Sequence, residues 1–188
     1  MRRELLAAAL ALASLAVPAH ARDYVQARGS ALTFASAFQG ETFVGRFERF
    51  HTRLRFDPQQ LAQARLEVDV ALASAATANA ERDDALKGAD FFDASRFPHA
   101  RYVATRFRAL GGGRYAADGT LSLRGVDKPV TLTFTWTPGA TPVLSGRASV
   151  RRLQFGVGGG DWADTGVIPD EVAVSARVLL QPAAGAPR

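Results

Sequence analysis

Apolar and polar residues alternate with a period of two along much of the chain, the pattern of strands that bury one face. The run RLEVDVAL shows it most cleanly: Leu66, Val68, Val70 and Leu72 alternate with Arg65, Glu67 and Asp69. ALTFASAF places Leu32, Phe34 and Phe38 on one face. TFVGRFERF puts Phe43 and Phe47 together around Gly45, where the backbone can bend or approach a neighbour closely. TLTFTWT sets Leu132, Phe134 and Trp136 against threonines, and EVAVSARVLL repeats the theme with Val172, Val174, Ala176 and Val178. Turn residues divide the runs. Asp57-Pro58 ends one strand and opens a short helical turn through Gln59 to Ala62. Gly111 to Gly113 joins Phe107 to Tyr115 as a hairpin, and RGVDKP at 124–129 joins the Leu121 strand to the Leu132 strand. Asp118-Gly119 reads as a turn or as a glycine bend inside a strand.

About seven or eight such strands with short turns make an all-β sandwich or closed barrel. The count of aromatics on the apolar faces leans toward a barrel. One of about eight strands either fills its interior or holds one small ligand. Large Phe and Trp mix here with Gly, Ala and Ser on the apolar faces, which leaves room for gaps.

The one substantial non-strand excursion contains RDDALKGADFFDASRFP, residues 82–98. Asn79 predicts an N-cap, Glu81 suits the first turn, and Gly88 predicts a C′ stop. A second short turn is predicted from Asp93 to Pro98. Leu86, Phe91, Phe92 and Phe97 form the greasy side of this segment. So short a helix holds only by docking, which makes it a plug or flap on the sheet.

Composition adds a compartment. Arg2 and Arg3, the apolar run Leu5 to Val17 and the small-x-small sequence Ala19-His20-Ala21 form a secretory signal peptide, expected to end at residue 21. The run is shorter than the roughly 20 residues of a membrane span. The remainder suits one domain, 22–180, followed by a tail read as disordered, 181–188. Cysteine is absent, so thiol chemistry is excluded and packing must supply stability. Without Arg2, Arg3 and Glu4 the chain carries 21 basic and 17 acidic residues, scattered singly. That is no nucleic-acid arm.

Enzyme chemistry finds little support. Of three histidines, His20 leaves with the leader, and His51 and His99 have no metal-ligand spacing. No Gly-x-Ser-x-Gly elbow occurs, and GVGGGD at 156–161 places Asp161 where a dinucleotide fingerprint needs its third glycine. Glu81, Asp83, Asp84, Asp90 and Asp93 read as a solvated face with Arg82 and Lys87 as neighbours, not as a general acid–base pair or a calcium loop.

Four segments in order resemble the YceI family of secreted lipocalin-like barrels, the polyisoprenoid-binding proteins of bacterial envelopes. They are GRFERF…LRFDPQQLAQARLEVDV, TANAERDDALKGADFFDASRFPHARY, GTLSLRGVDKPVTL and RRLQFGVGGGDW. The most specific piece is Arg82-Asp83 followed by Asp90-Phe91-Phe92-Asp93 and Phe97-Pro98. Two departures stand out: Phe38 and Ala85 occupy positions where the family tends to have histidine. The resemblance implies an extended antiparallel lipocalin-like barrel with a helical segment near one mouth. It also implies a pocket for a polyprenyl or quinone tail, with a fatty-acyl chain as a further candidate. The lining is expected from Phe34, Phe38, Phe43, Phe47, Phe56, Phe91, Phe92, Phe107, Leu132, Phe134, Trp136, Phe155 and Trp162, with Arg82, Asp83 and Asp161 as candidate head-group contacts. The function so implied is a non-catalytic periplasmic carrier or sequestering protein with no cofactor beyond its lipid. Two rivals are an accessory partner of a membrane b-type cytochrome in quinone-linked electron transfer, and a lipid-processing enzyme using acids near Asp83. A second copy of the chain is a further candidate partner.

Overall fold

The computed structural model describes residues 21–184. The expected leader, apart from Ala21, and the last residues of the tail, 185–188, lie outside the described residues.

Eleven strand segments combine into eight long strands. β1 (Arg22–Gln26) and β2 (Ala31–Phe38) both lie along β11 (Glu171–Pro182), Val25 opposite Gln181 and Phe34 opposite Val174. They form one strand broken at a turn where Gly29 takes φ +86°. β3 (Glu41–Phe47) pairs with β2, and β4 (Phe50–Phe56) with β1. β5 (Arg65–Ala71) and the short β6 (Ala75–Ala76) pair with β4 and β3 in turn. The meander continues through β7 (His99–Gly111), β8 (Arg114–Leu123), β9 (Val126–Thr137) and β10 (Val143–Arg151) to β11. Contact of β11 with β1 and β2 closes an antiparallel barrel. β4 shows why the sequence does this. Phe50, Thr52, Leu54 and Phe56 are buried while His51, Arg53 and Arg55 are exposed, so one register satisfies every side chain.

Local expectations held in part. Asn79 caps α1 (Ala80–Lys87), its Oδ1 accepting from the Arg82 N–H at 2.9 Å. Gly88 closes α1 as expected, its N–H donating to the Ala85 carbonyl, but it does so as the cap residue in extended backbone (φ −67°). The chain turns instead at Asp93 (φ +48°), a short polar residue that tolerates this region. Its carbonyl accepts the N–H groups of Arg96 and Phe97. The turn expected over 124–129 is shorter, because Arg124 (φ +51°) and Gly125 (φ +73°) make a two-residue hairpin turn. Val126 to Pro129 belong to β9. Pro129 is tolerated there because β10 pairs with β9 only from Thr133 to Thr137, leaving its missing N–H without a neighbour to serve. Gly119 is the glycine bend, inside β8 and beneath the Tyr102 ring. β11 runs on through Gln181 and Pro182, two residues into the segment read as tail, because barrel closure needs them against β1.

The two ends of the barrel differ. At the end holding the 57–64 loop and the 111–113 turn, aromatic rings fill the bore. Phe56 lies 5.1 Å from Trp136, 5.2 Å from Tyr115 and 5.6 Å from Phe134, and Tyr24 lies 5.5 Å from Trp136. The other end carries α1, the 124–125 turn and the long 152–170 loop, and there the bore is hollow.

Candidate functional site

A cavity of about 440 Å³ occupies the helix-bearing half of the barrel. That volume suits one small ligand or a length of chain. Its walls come from inward residues of successive strands: Leu66, Val68 and Val70 of β5, Leu121 and Leu123 of β8, Val130 and Leu132 of β9, Val172, Val174 and Val178 of β11. The lining extends to exposed Phe38, Glu81 and Ala85, so the cavity reaches the surface beside α1.

The predicted lining divides by height in the barrel. Phe34, Phe38, Phe43, Phe47, Phe91, Phe92, Leu132 and Trp162 line the cavity. Phe56, Phe107, Phe134 and Trp136 instead make the aromatic plug, and Phe155 is buried outside the lining at the foot of the 152–170 loop. Alternation alone assigns both groups inward. Only position along the bore separates them.

Two excursions frame the mouth. Phe91 and Phe92 turn inward from the segment after α1, Phe92 within 6.0 Å of Phe47 and Phe91 within 5.7 Å of Trp162. The Gly158 N–H donates to the Asp90 carbonyl at 2.7 Å, tying the two excursions together. Arg124 reaches across from the β8–β9 turn to the carbonyls of Ala89 and Phe91. Phe38 and Ala85, the two departures from the resembled pattern, both lie on this rim.

The candidate head-group residues separate as well. Arg82 lines the cavity and stacks its guanidinium 4.2 Å over the Phe43 ring. Asp83 braces the chain locally: its Oδ1 accepts from the Thr77 N–H at 2.7 Å and the Thr77 hydroxyl at 2.6 Å. Asp161 is exposed and outside the lining. Among the described residues no group of three or more metal-ligating side chains converges, and no helix is long and apolar enough to cross a membrane.

Sequence reasoning missed Arg152. It is 3% exposed, and its five N–H groups donate to five carbonyls: Pro169 from Nε, Val157 and Gly158 from one terminal nitrogen, Trp162 and Ile168 from the other. Burial lowers its pKa from the ordinary arginine value. This guanidinium is the hub that folds the glycine-rich loop and presents Trp162 to the cavity. Its neighbour Arg151 is exposed, as alternation along β10 requires: Leu144, Gly146, Ala148 and Val150 face inward, and Arg152 continues that parity.

The profile of the YceI-like domain matches residues 24–180. The chain belongs to the YceI-like family. Relatives include a UPF0312 protein of Shewanella denitrificans, 36% identical over 138 residues (70% of this chain, 72% of the relative), and one of Vibrio campbellii at 33% over the same length and shares. Among solved structures, BcnA of Burkholderia cenocepacia superposes with a TM-score of 0.77 at 30% identity, covering 80% of this chain and 95% of that one. A polyisoprenoid binding domain from Saccharophagus degradans, described as implicated in plant cell wall breakdown, superposes with a TM-score of 0.67 over 87% and 99% of the chains. At 15% identity that likeness speaks for the YceI-like fold alone.

Proposed function

We propose that this YceI-like protein encloses the tail of an isoprenoid lipid in its barrel and carries or sequesters it outside the cytoplasm without changing it. The observation that carries this reading is the apolar cavity of about 440 Å³, open beside α1 and walled by aliphatic and aromatic side chains. The naming of the Saccharophagus degradans domain as polyisoprenoid binding supports the choice of ligand class. The leader-like sequence of residues 1–21 supports export.

The energetics suit a carrier. Each CH₂ buried contributes about 0.8 kcal/mol, so a five-carbon prenyl unit contributes about 4 kcal/mol before ordering and membrane withdrawal are subtracted. A few units in the cavity therefore give useful affinity that can still be reversed. Cell fractionation followed by native mass spectrometry and lipid extraction of the full chain tests the proposal. A prenyl lipid bound to protein from the envelope fraction is expected. Replacing Phe91 and Phe92 together by Asp should abolish copurification. Unchanged lipid occupancy in that variant, or no lipid on the wild type, overturns the reading.

A further inference from the structure

Most buried polar atoms in folded proteins have a hydrogen-bond partner, so exceptions call for an explanation. Here two exceptions sit together. Thr52 Oγ1 is buried without a partner in a residue only 2% exposed, and Gln26 Oε1 is buried without one in a half-buried residue; Ser36 Oγ, on another strand of the lining, is the third such atom among the described residues. The β1–β4 register sets Tyr24 against Leu54 and Val25 against Arg53. Carried one step further, it brings Gln26 opposite Thr52, on the inward face that Tyr24 and Leu54 share.

Thr52 is also the deepest cavity-lining residue of β4. Phe50 and Thr52 line the cavity, whereas Leu54 and Phe56, further along the strand, do not. Thr52 thus stands at the cavity floor, where the hollow half meets the aromatic plug, with Gln26 beside it but outside the lining. Tyr102, also in the lining, makes no hydrogen bond to the pair, and its one hydroxyl proton is directed at the carbonyls of Ala117 (2.8 Å) and Val130 (3.1 Å).

We infer that the floor takes the polar end of the ligand, and that this end is a neutral hydroxyl or carbonyl oxygen inserted ahead of the tail. This rests on the lipid-binding reading above and deepens it. Thr52 can donate to either oxygen. A phosphate does not suit the floor, because burying its charge without a cation is prohibitive. Arg152, the one buried cation in the lining among the described residues, has already committed all five N–H groups to carbonyls. Arg82 lies at the rim over Phe43, where a charged head group would orient the lipid the opposite way.

The test uses the leaderless chain and three probes: geranylgeraniol, geranylgeranyl phosphate and the hydrocarbon squalene. Binding by wild type, Thr52→Val and Arg82→Gln is compared by titration calorimetry. Thr52→Val is nearly isosteric and removes an unsatisfied hydroxyl, so its melting temperature should equal or exceed that of wild type. The alcohol is expected to bind Thr52→Val about five- to tenfold more weakly, with squalene unaffected. Equal loss for alcohol and hydrocarbon in Thr52→Val overturns the inference, as does unchanged alcohol affinity, which would leave only a trapped water at the pair. Tighter binding of the phosphate than the alcohol, lost in Arg82→Gln, overturns it in favour of the opposite orientation. Failure of all three probes on wild type overturns the lipid-binding reading itself, and the inference with it.

Discussion

Gly45→Ala separates the cavity from the rest of the core. Gly45 has an ordinary backbone conformation, so an added methyl acts through space alone. Its Cβ would stand 2.2 Å from Phe34 Cζ and 2.6 and 2.8 Å from two further ring atoms. Carbon–carbon contacts settle at about 3.5–4.0 Å, so the ring must retreat by roughly 1.5 Å. Phe34 is 6% exposed, but it lines the cavity and therefore has empty space to enter. Overpacking a filled core costs about 1–3 kcal/mol, and a void behind the displaced ring puts this case at the low end. Near 1 kcal/mol, the melting temperature falls by about 2–4 °C. Ligand space shrinks at the same time, so affinity for a prenyl probe should fall about tenfold or more, each lost CH₂ contact being worth about 0.8 kcal/mol. Gly119→Ala is the contrast. Its Cβ would meet the Val103 carbonyl oxygen at 2.6 Å and the Tyr102 ring at 2.7 Å. Backbone cannot retreat, so the cost should reach about 3 kcal/mol or more. Thermal unfolding by circular dichroism and probe titration on both variants decide the matter. A Gly45→Ala protein that melts below Gly119→Ala while binding the probe normally would refute the reasoning.

Other outcomes follow from single contacts. Arg152→Met leaves five carbonyls without their shared donor and should destabilise by about 3 kcal/mol or more, with proteolytic cleavage moving into 156–170; urea unfolding with a loss under about 1 kcal/mol would contradict the hub role. Arg152→Lys should recover little of this, since an ammonium cannot reproduce the planar fork. Burial pushes the Tyr102 phenol up to about 12. The unfolded phenol titrates near 10, so the unfolded chain loses its proton first. Stability is then full below about pH 10 and declines by about 3 kcal/mol as pH rises toward 12. That decline should be absent in Tyr102→Phe, compared by urea unfolding at about pH 9 and pH 11. Asn79→Ala removes the α1 cap and should cost about 1 kcal/mol, read as faster hydrogen exchange at the Arg82 amide.

Much of this architecture is written in the chain itself. Period-two alternation in 65–72 and 131–137 specifies inward and outward faces, because a one-residue slip would expose every apolar side chain of the strand. Asn79, Leu86, Phe91 and Phe92 announce a capped helix and an apolar plug in local order, since capping and docking depend on near neighbours. The tertiary structure decided what local pattern cannot encode. Alternation says that Phe34 and Phe56 both point inward, but closure of the barrel puts one beside a void and the other in a stack of rings. Alternation along 144–150 puts Arg152 on the inward side and Arg151 outside, but only the loop returning through Pro169 surrounds Arg152 with carbonyls. Thr52 reads as one more small residue on an apolar face until closure sets it at the cavity floor beside Gln26 with its hydroxyl unpartnered. Faces are a property of a strand. Depth, voids and unmet hydrogen bonds are properties of strands brought together from distant parts of the chain.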